Sequence, residues 1–204
     1  MITLWGRSNS HNVKKPLWLL EELGISYVRH DVGGPFGMDE VYHAKNPNGL
    51  IPTLEDGDLI QWESNSILRY LAARYGDSST FWPADPAQRA IGDKWMDWQI
   101  GFGEKIKGAY LGLIRTPEAQ RDHAAISASA EAMNSAMQII ENMLESSEYL
   151  SGDALGLGDI AMGVFAYSYY NLAIDRPALP MTERWFAKLQ QRPAYQKSVM
   201  IPLS

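Results

Sequence analysis

The chain opens with ITLWGRSNSHNVKKPLWLLEELGISYVRHDV, residues 2–32, and the reading of this stretch decides the fold. Ile2 to Trp5 is a short apolar run with the length of a strand. The polar cluster Ser8 to Asn12 supplies capping groups, after which Val13, Leu17, Leu20 and Leu23 recur at helical spacing until Gly24 closes the helix. Pro16 is expected in the first turn or just past it, where a missing N–H costs least. Ile25 to Val32 supplies a second strand, so the opening is a β-α-β unit with parallel strands and a right-handed crossover.

Outward from that unit, Gly33-Gly34-Pro35-Phe36-Gly37 reads as a flexible loop and Met38 to Asn46 as a short helix. Ile51 to Leu54 and Leu59 to Trp62 flank an Asp56-Gly57 pair, which signals a hairpin. Ser64 is expected to cap the next helix, which buries Ile67, Leu68, Leu71 and Ala72 and ends at Gly76. Asp77 to Asp85 is short, polar and proline-punctuated, as a linker would be, and beyond it every segment reads as helix. Asp85-Pro86-Ala87-Gln88 combines a capping carboxylate, a proline at the first helical position and a glutamine three residues past the cap. Ile91, Trp95, Trp98, Phe102 and Ile106 follow at helical spacing. Thr116-Pro117 is expected to start a second helix, with Ile126, Met133, Met137, Ile140 and Leu144 on one face. Asp159 to Ala173 is apolar nearly all round, which places it at the centre of a bundle, and Thr182 to Gln191 is the last clear helix, stopped before Pro193. The fold class expected is α/β plus all-α: an α/β domain over residues 1–78, a linker over 79–86 and a helical bundle over 87–204.

Composition narrows what such a protein does. With 204 residues, 46% hydrophobic and 21% charged, the chain has average globular usage, which sets aside disorder, collagen and coiled-coil rods. A net charge of −6 argues against a face that grips phosphate backbones, so no nucleic-acid partner is expected. Cysteine is absent, which removes disulfide scaffolds, CxxC redox catalysis, thiolate zinc sites and a cysteine nucleophile. Any thiol chemistry must use another molecule's sulfur. His11, His30, His43 and His123 show no metal-ligand spacing, and no metal is expected. No apolar run approaches the roughly 20 residues of a membrane span and no basic leader precedes one, so a cytoplasmic protein without a membrane partner is the expectation.

Several local sequences occur together: Leu19-Leu20-Glu21-Glu22-Leu23-Gly24, Asn46-Pro47-Asn48-Gly49-Leu50-Ile51-Pro52, Trp62-Glu63-Ser64-Asn65-Ser66-Ile67, Gly158-Asp159-Ile160 and Arg192-Pro193. In this combination the whole chain resembles the cytosolic glutathione S-transferases. The resemblance implies a thioredoxin-like N-terminal domain, a helical C-terminal domain, glutathione as co-substrate, a homodimer and a role in detoxification. It also implies that Pro52 is cis and that the flanking Ile51 N–H and C=O pair with the cysteinyl backbone of glutathione like an added strand. From the dipeptide alone, an ordinary trans proline at a strand edge is the commoner reading. Glu63 and Ser64 are similar to the pair that receives the γ-glutamyl end, the carboxylate facing the ammonium and the helix N-terminus facing the carboxylate; read without the family they are a helix cap and a solvated glutamate.

The chemistry requires a thiolate. Glutathione's thiol should titrate near a free cysteine's ~8.5, and lowering that by about 2 units takes about 2.7 kcal/mol of preferential stabilisation of the anion. Many members of the family place a tyrosine on the first strand for this purpose, whereas here Trp5 stands there and no tyrosine precedes Tyr27. Aligning on the Leu-Glu-Glu helix leaves Ser10 and Asn12 as candidate donors to sulfur, with helix capping as a compatible role for both. Leu50 stands where a Lys or Gln commonly meets the glycyl carboxylate, so His43, Lys45 and Phe36 to Met38 are candidate substitutes, His43 first among them. Gly156 stands where a Ser or Thr commonly caps the helix of Asp159, which bears on folding. An electrophile site is expected between the domains, with Trp5, Arg7, Phe36, Gln99, Phe102, Tyr110 and Arg115 as candidates; Arg7 and Arg115 would suit an acidic electrophile such as a haloacid. Two other functions fit the same residues, glutathione-dependent disulfide reduction and a non-catalytic binding module.

Overall fold

The computed structural model of the chain describes residues 1–76 and 79–204; Asp77 and Ser78, where the expected domain boundary falls, lie outside the described residues. Strand β1 (Ile2–Trp5) leads into α1 (His11–Glu22), and β2 (Tyr27–His30) returns parallel to β1, as the opening sequence predicts. A single 3₁₀ turn at Gly34–Phe36 and the short helix α2 (Glu40–Lys45) precede the hairpin of β3 (Thr53–Asp56) and β4 (Leu59–Trp62), and α3 (Ser64–Tyr75) follows. The sheet order is β2-β1-β3-β4, with β3 antiparallel to both its neighbours. Gly57 takes φ +60° in the two-residue hairpin loop, where a side chain would be strained. The remainder is helical: α4 (Pro86–Tyr110), α5 (His123–Leu144), α6 (Leu157–Asn171), α7 (Pro180–Gln190) and α8 (Pro193–Ser198).

Several boundaries differ from the sequence expectation for local reasons. Pro16 is the sixth residue of α1, just past the first turn as expected, and the carbonyl of Asn12 loses its usual intrahelical partner there. The N-cap of α3 is Glu63; Ser64 is the first helical residue and its hydroxyl does not cap. Thr116-Pro117 leads only into a 3₁₀ turn at Glu118–Gln120, and α5 starts after Asp122, whose carboxylate accepts from Ala125 N–H at 3.0 Å. At α4 the expected cap forms, with Asp85 accepting from Ala87 N–H at 2.9 Å. Arg192-Pro193, read as a stop, is itself the start of α8, with Arg192 as N-cap.

Helix α1 closes with Gly24 at φ +65°, Ile25 N–H donating to Leu20 C=O at 3.0 Å and Gly24 N–H to Glu21 C=O at 3.2 Å. Every residue from Val13 to Leu20 is buried, because α1 lies between α3 on one side and α6 and α8 on the other. Trp18 is wholly buried, and a side chain at Gly163 of α6 would meet its ring at 2.8 Å. The two ends of the chain are joined there by charge as well: Arg192 donates to both oxygens of Glu22 at 2.7 and 2.6 Å, and Lys197 reaches Glu21 at 2.7 Å. Thus the Leu-Glu-Glu and Arg-Pro sequences, far apart in the chain, are one contact.

Helix α6 is buried on all but three of its fifteen residues. Its Asp159 carboxylate, fully buried, accepts from the N–H groups of Leu150 (2.7 Å), Ser151 (3.1 Å) and Gly156 (3.1 Å) and from Trp185 Nε1 (2.9 Å). Burial pushes its pKa up, and these four donors oppose the shift. Gly156, the N-cap, has no side chain to offer, yet Gly158 N–H is satisfied at 3.1 Å by Ser151 Oγ, a hydroxyl supplied from the preceding loop. A Cβ on Gly156 would lie 2.5 Å from Ser151 Cβ, so the two capping solutions exclude each other. Gly156→Ser should therefore cost about 1–3 kcal/mol by overpacking, and adding Ser151→Gly should recover most of it by returning the cap to the helix. Denaturant unfolding of the two single variants and the double variant measures this exchange.

Candidate active site

The N-termini of α1 and α3 open on one cavity of about 560 Å³ between the α/β layer and the helices, lined among others by Arg7, Ser10, His11, Asn12, Lys15, Glu63, Ser64, Gln99, Tyr110, Arg115 and Phe165. Each helix start leaves backbone N–H groups without intrahelical partners, so both favour negative charge. Ser10 is the N-cap of α1, in extended conformation, and its hydroxyl makes no capping bond. Asn12 Oδ1 lies 3.4 Å from Ser64 Oγ, which links the two helix starts and leaves the Asn12 amide N–H groups available.

The loop that carries Ser10 is fixed by close packing. Gly6, at φ +147°, brings the chain so near Val13 that a Cβ would lie 2.5 Å from Val13 Cγ2, and Ile51 Cβ stands 3.3 Å from the same point. The Ile51–Pro52 peptide is cis, as the resemblance implies. Asn46 and Tyr42 hold the preceding residue, Asn46 Nδ2 and the Tyr42 hydroxyl both donating to Leu50 C=O, while Ile51 N–H and C=O take no backbone partner among the described residues. Leu50 is exposed, and His43, on α2, lies beside Gly49 of the same loop as Leu50.

Glu63 has φ +69° and ψ 111°, the one positive φ outside glycine among the described residues. Such a conformation costs on the order of 1–3 kcal/mol and is found where a site over-determines it. Directly behind it, Lys15 is buried and donates to Ser64 Oγ at 3.2 Å, Asn65 Oδ1 at 3.0 Å and Gln99 Oε1, bridging α1, α3 and α4. Burial lowers its pKa to about 7. His11 stacks on Phe165 and meets Tyr110 edge-on, each at 4.7 Å, with Nε2 2.6 Å from Ser168 Oγ. Burial first, then the charges of Lys14 and Lys15, push its pKa down to about 3, so the imidazole is neutral at physiological pH. Arg7, lowered by burial and by Arg115, holds Asn9 at 2.6 Å, and Tyr110 and Arg115 donate to the Ser204 carbonyl at 3.1 and 3.0 Å.

Six candidates from the sequence fall outside the cavity lining: Ile51, Pro52 and His43 of the glutathione set, and Trp5, Phe36 and Phe102 of the electrophile set. Trp5 is on the face of β1 opposite Leu4, stacked on His30 at 4.5 Å with Lys45 over its ring, and donates to Glu55. Phe36 is 57% exposed on its loop, and Phe102 is buried between Trp98 and Phe165. Lys15 and His11 are among the cavity residues that the sequence alone does not single out. They are four residues apart on α1, and the spacing from His11 and Asn12 already places Lys15 on their face of the helix. Among the described residues no His, Asp or Glu cluster could hold a metal, and no helix is long and apolar enough to cross a membrane.

A four-stranded mixed sheet with a cis-proline loop, joined to a helical domain across a cavity at two helix starts, defines the class of thioredoxin-like transferases. Residues 4–79 match the family model for the glutathione S-transferase N-terminal domain and residues 104–193 that for the C-terminal domain, and the chain belongs to the glutathione S-transferase family. It is 46% identical to Glutathione S-transferase GstB of Escherichia coli, with all of both chains covered, and 33% identical to Glutathione S-transferase F14 of Arabidopsis thaliana, covering 97% of this chain and 80% of that one. Among solved structures, the theta class enzyme of Xanthomonas axonopodis pv. citri with glutathione bound superposes with a TM-score of 0.96 at 46% identity, over 100% of this chain and 99% of that one.

Because the Glu63 side chain makes no hydrogen bond or ion pair among the described residues, little is lost with it. Glu63→Gly should raise the unfolding free energy by about 1 kcal/mol, the relieved strain exceeding the entropy cost of glycine, while Glu63→Ala gives no such gain. Chemical denaturation of the pair checks this.

Proposed function

We propose that this chain ionises the thiol of glutathione at the start of α1 and transfers the sulfur to small electrophiles. The single observation that carries this reading is Ser10, the N-cap residue of α1, which lines the cavity and whose hydroxyl makes no capping bond. It donates to the thiolate, with an Asn12 N–H as second donor, and the α1 N-terminus adds its field. Ile51 N–H and C=O pair with the cysteinyl backbone; Glu63 takes the glutamyl ammonium; Ser64 and the first N–H groups of α3 take its carboxylate. Of the family positions for the glycyl end, Leu50 offers no charge, and His43 of α2, beside Gly49, is the ionisable side chain assigned to it.

The sulfur then forms a C–S bond while the leaving group departs with the bonding pair, or adds to an activated double bond, with proximity supplying much of the rate. Arg7, Gln99, Tyr110 and Arg115 form the electrophile side, and the two arginines favour small anionic substrates such as haloacids beside aryl halides. We assign residues 1–78 to glutathione binding, 79–86 to the linker and 87–204 to the electrophile side, in a cytoplasmic homodimer. The exposed apolar side chains Leu50, Ile60 and Trp62 around the β3–β4 hairpin support pairing, and light scattering should return twice the chain mass.

Ser10→Ala should raise the pKa of bound glutathione by about 1–2 units and lower kcat/KM about 10- to 100-fold, with Asn12→Ala smaller in both. Ultraviolet titration of the bound thiolate, with haloacid, aryl halide and mixed-disulfide assays run side by side, provides the measurement. Turnover of the disulfide alone, or a bound thiol no more acidic than in water, overturns the reading.

A further inference from the structure

Lys15 is a cation sealed behind the site with no anion against it. Its side chain is 1% exposed, and its three hydrogens go to three uncharged oxygens, on Ser64, Asn65 and Gln99, above the ring of Phe165 at 5.5 Å. The surrounding charges are committed elsewhere or are positive. On α1, Lys14 donates to Val199 C=O and His11 is neutral. From α3 and α4, Arg69 pairs with Asp93 and Asp97, and Glu104 with Lys107. From α8, Arg192 and Lys197 pair with Glu22 and Glu21, while α6 presents the rings of Tyr167 and Phe165. Arg7 and Arg115 lie along the cavity wall. Glu63 alone acts on Lys15 from the cavity side, without forming an ion pair.

A buried charge without a counter-charge is unfavourable until an anion arrives. We propose that Lys15 is a positioning residue that orients the Ser64 hydroxyl toward the ligand carboxylate and couples glutathione binding to the uptake of a proton, an inference that rests on the glutathione reading of this cavity. The ammonium has donors only, so Ser64 Oγ must accept from it and turn its own hydrogen outward, to Asn12 Oδ1 in the empty site or to a carboxylate in the occupied one. The neutral amine has a lone pair, and Ser64 can then turn inward and donate to it, withdrawing from the ligand. With the empty-site pKa near 7, a bound carboxylate raises it, so the complex holds more protons than the free protein just above neutrality.

The test uses S-methylglutathione, which has no thiol to titrate. Calorimetry from pH 6.5 to 8.5, in buffers of different ionisation heat, should show net proton uptake in the wild type and an affinity falling by about tenfold as pH rises. Lys15→Gln should bind more weakly at pH 6.5 with a flat profile, and Lys15→Arg, always charged, should bind with a flat profile and retained affinity. Binding by the wild type without proton uptake overturns the inference and leaves the glutathione reading intact, whatever the variants do. An undiminished pH profile in Lys15→Gln also overturns it. Absence of S-methylglutathione binding removes both.

Discussion

Everything in the site depends on α1 being enclosed along its length and open at its first turn. Eight consecutive buried residues, Val13 to Leu20, mean that this helix has no solvent face at its centre and serves as core for the sheet layer and the helical layer at once. The Glu22–Arg192 pair and the Gly163–Trp18 contact fix its rotation and height. Its N-terminus is thereby held against the start of α3, and His11 and Lys15 add to that packing through Phe165, Tyr110, Asn65 and Gln99 while Ser10 and Asn12 are carried along by it. Four of the cavity's polar side chains are thus carried by a helix whose centre is buried on every side.

Much of this was legible in the residues. The opening β-α-β unit, the hairpin at Asp56-Gly57, the Asp85-Pro86 start of α4 and the all-apolar α6 follow from spacing and caps, which are local and strong. The errors are equally local. A six-residue helix such as α8 has too few turns for periodicity to show, and Arg192-Pro193 can end one helix or begin another. Thr116-Pro117 has the composition of a helix start, but Asp122 offers the better-placed carboxylate. Trp5 reads as a site residue from its place at the end of β1, but strand alternation sends it the other way: Leu4 faces the helices, so Trp5 faces away.

Lys15 illustrates a different limit. A charged residue in a helix reads as solvated, and only the tertiary enclosure of α1 turns it into a buried cation. Gly156 shows the reverse, since it reads as a missing cap until Ser151, five residues earlier, is seen to supply the hydroxyl. In both cases the signal is a relation between elements, and neither composition nor period encodes it.

A helix that belongs to two layers also governs how this architecture can be rearranged. An isolated fragment ending at residue 76 would present Trp18 and its neighbours to water, and an exchange of the helical portion between relatives would set a foreign α6 against an indole that had been shaped to Gly163. To keep these contacts, α1, α6 and α8 have to travel as a set.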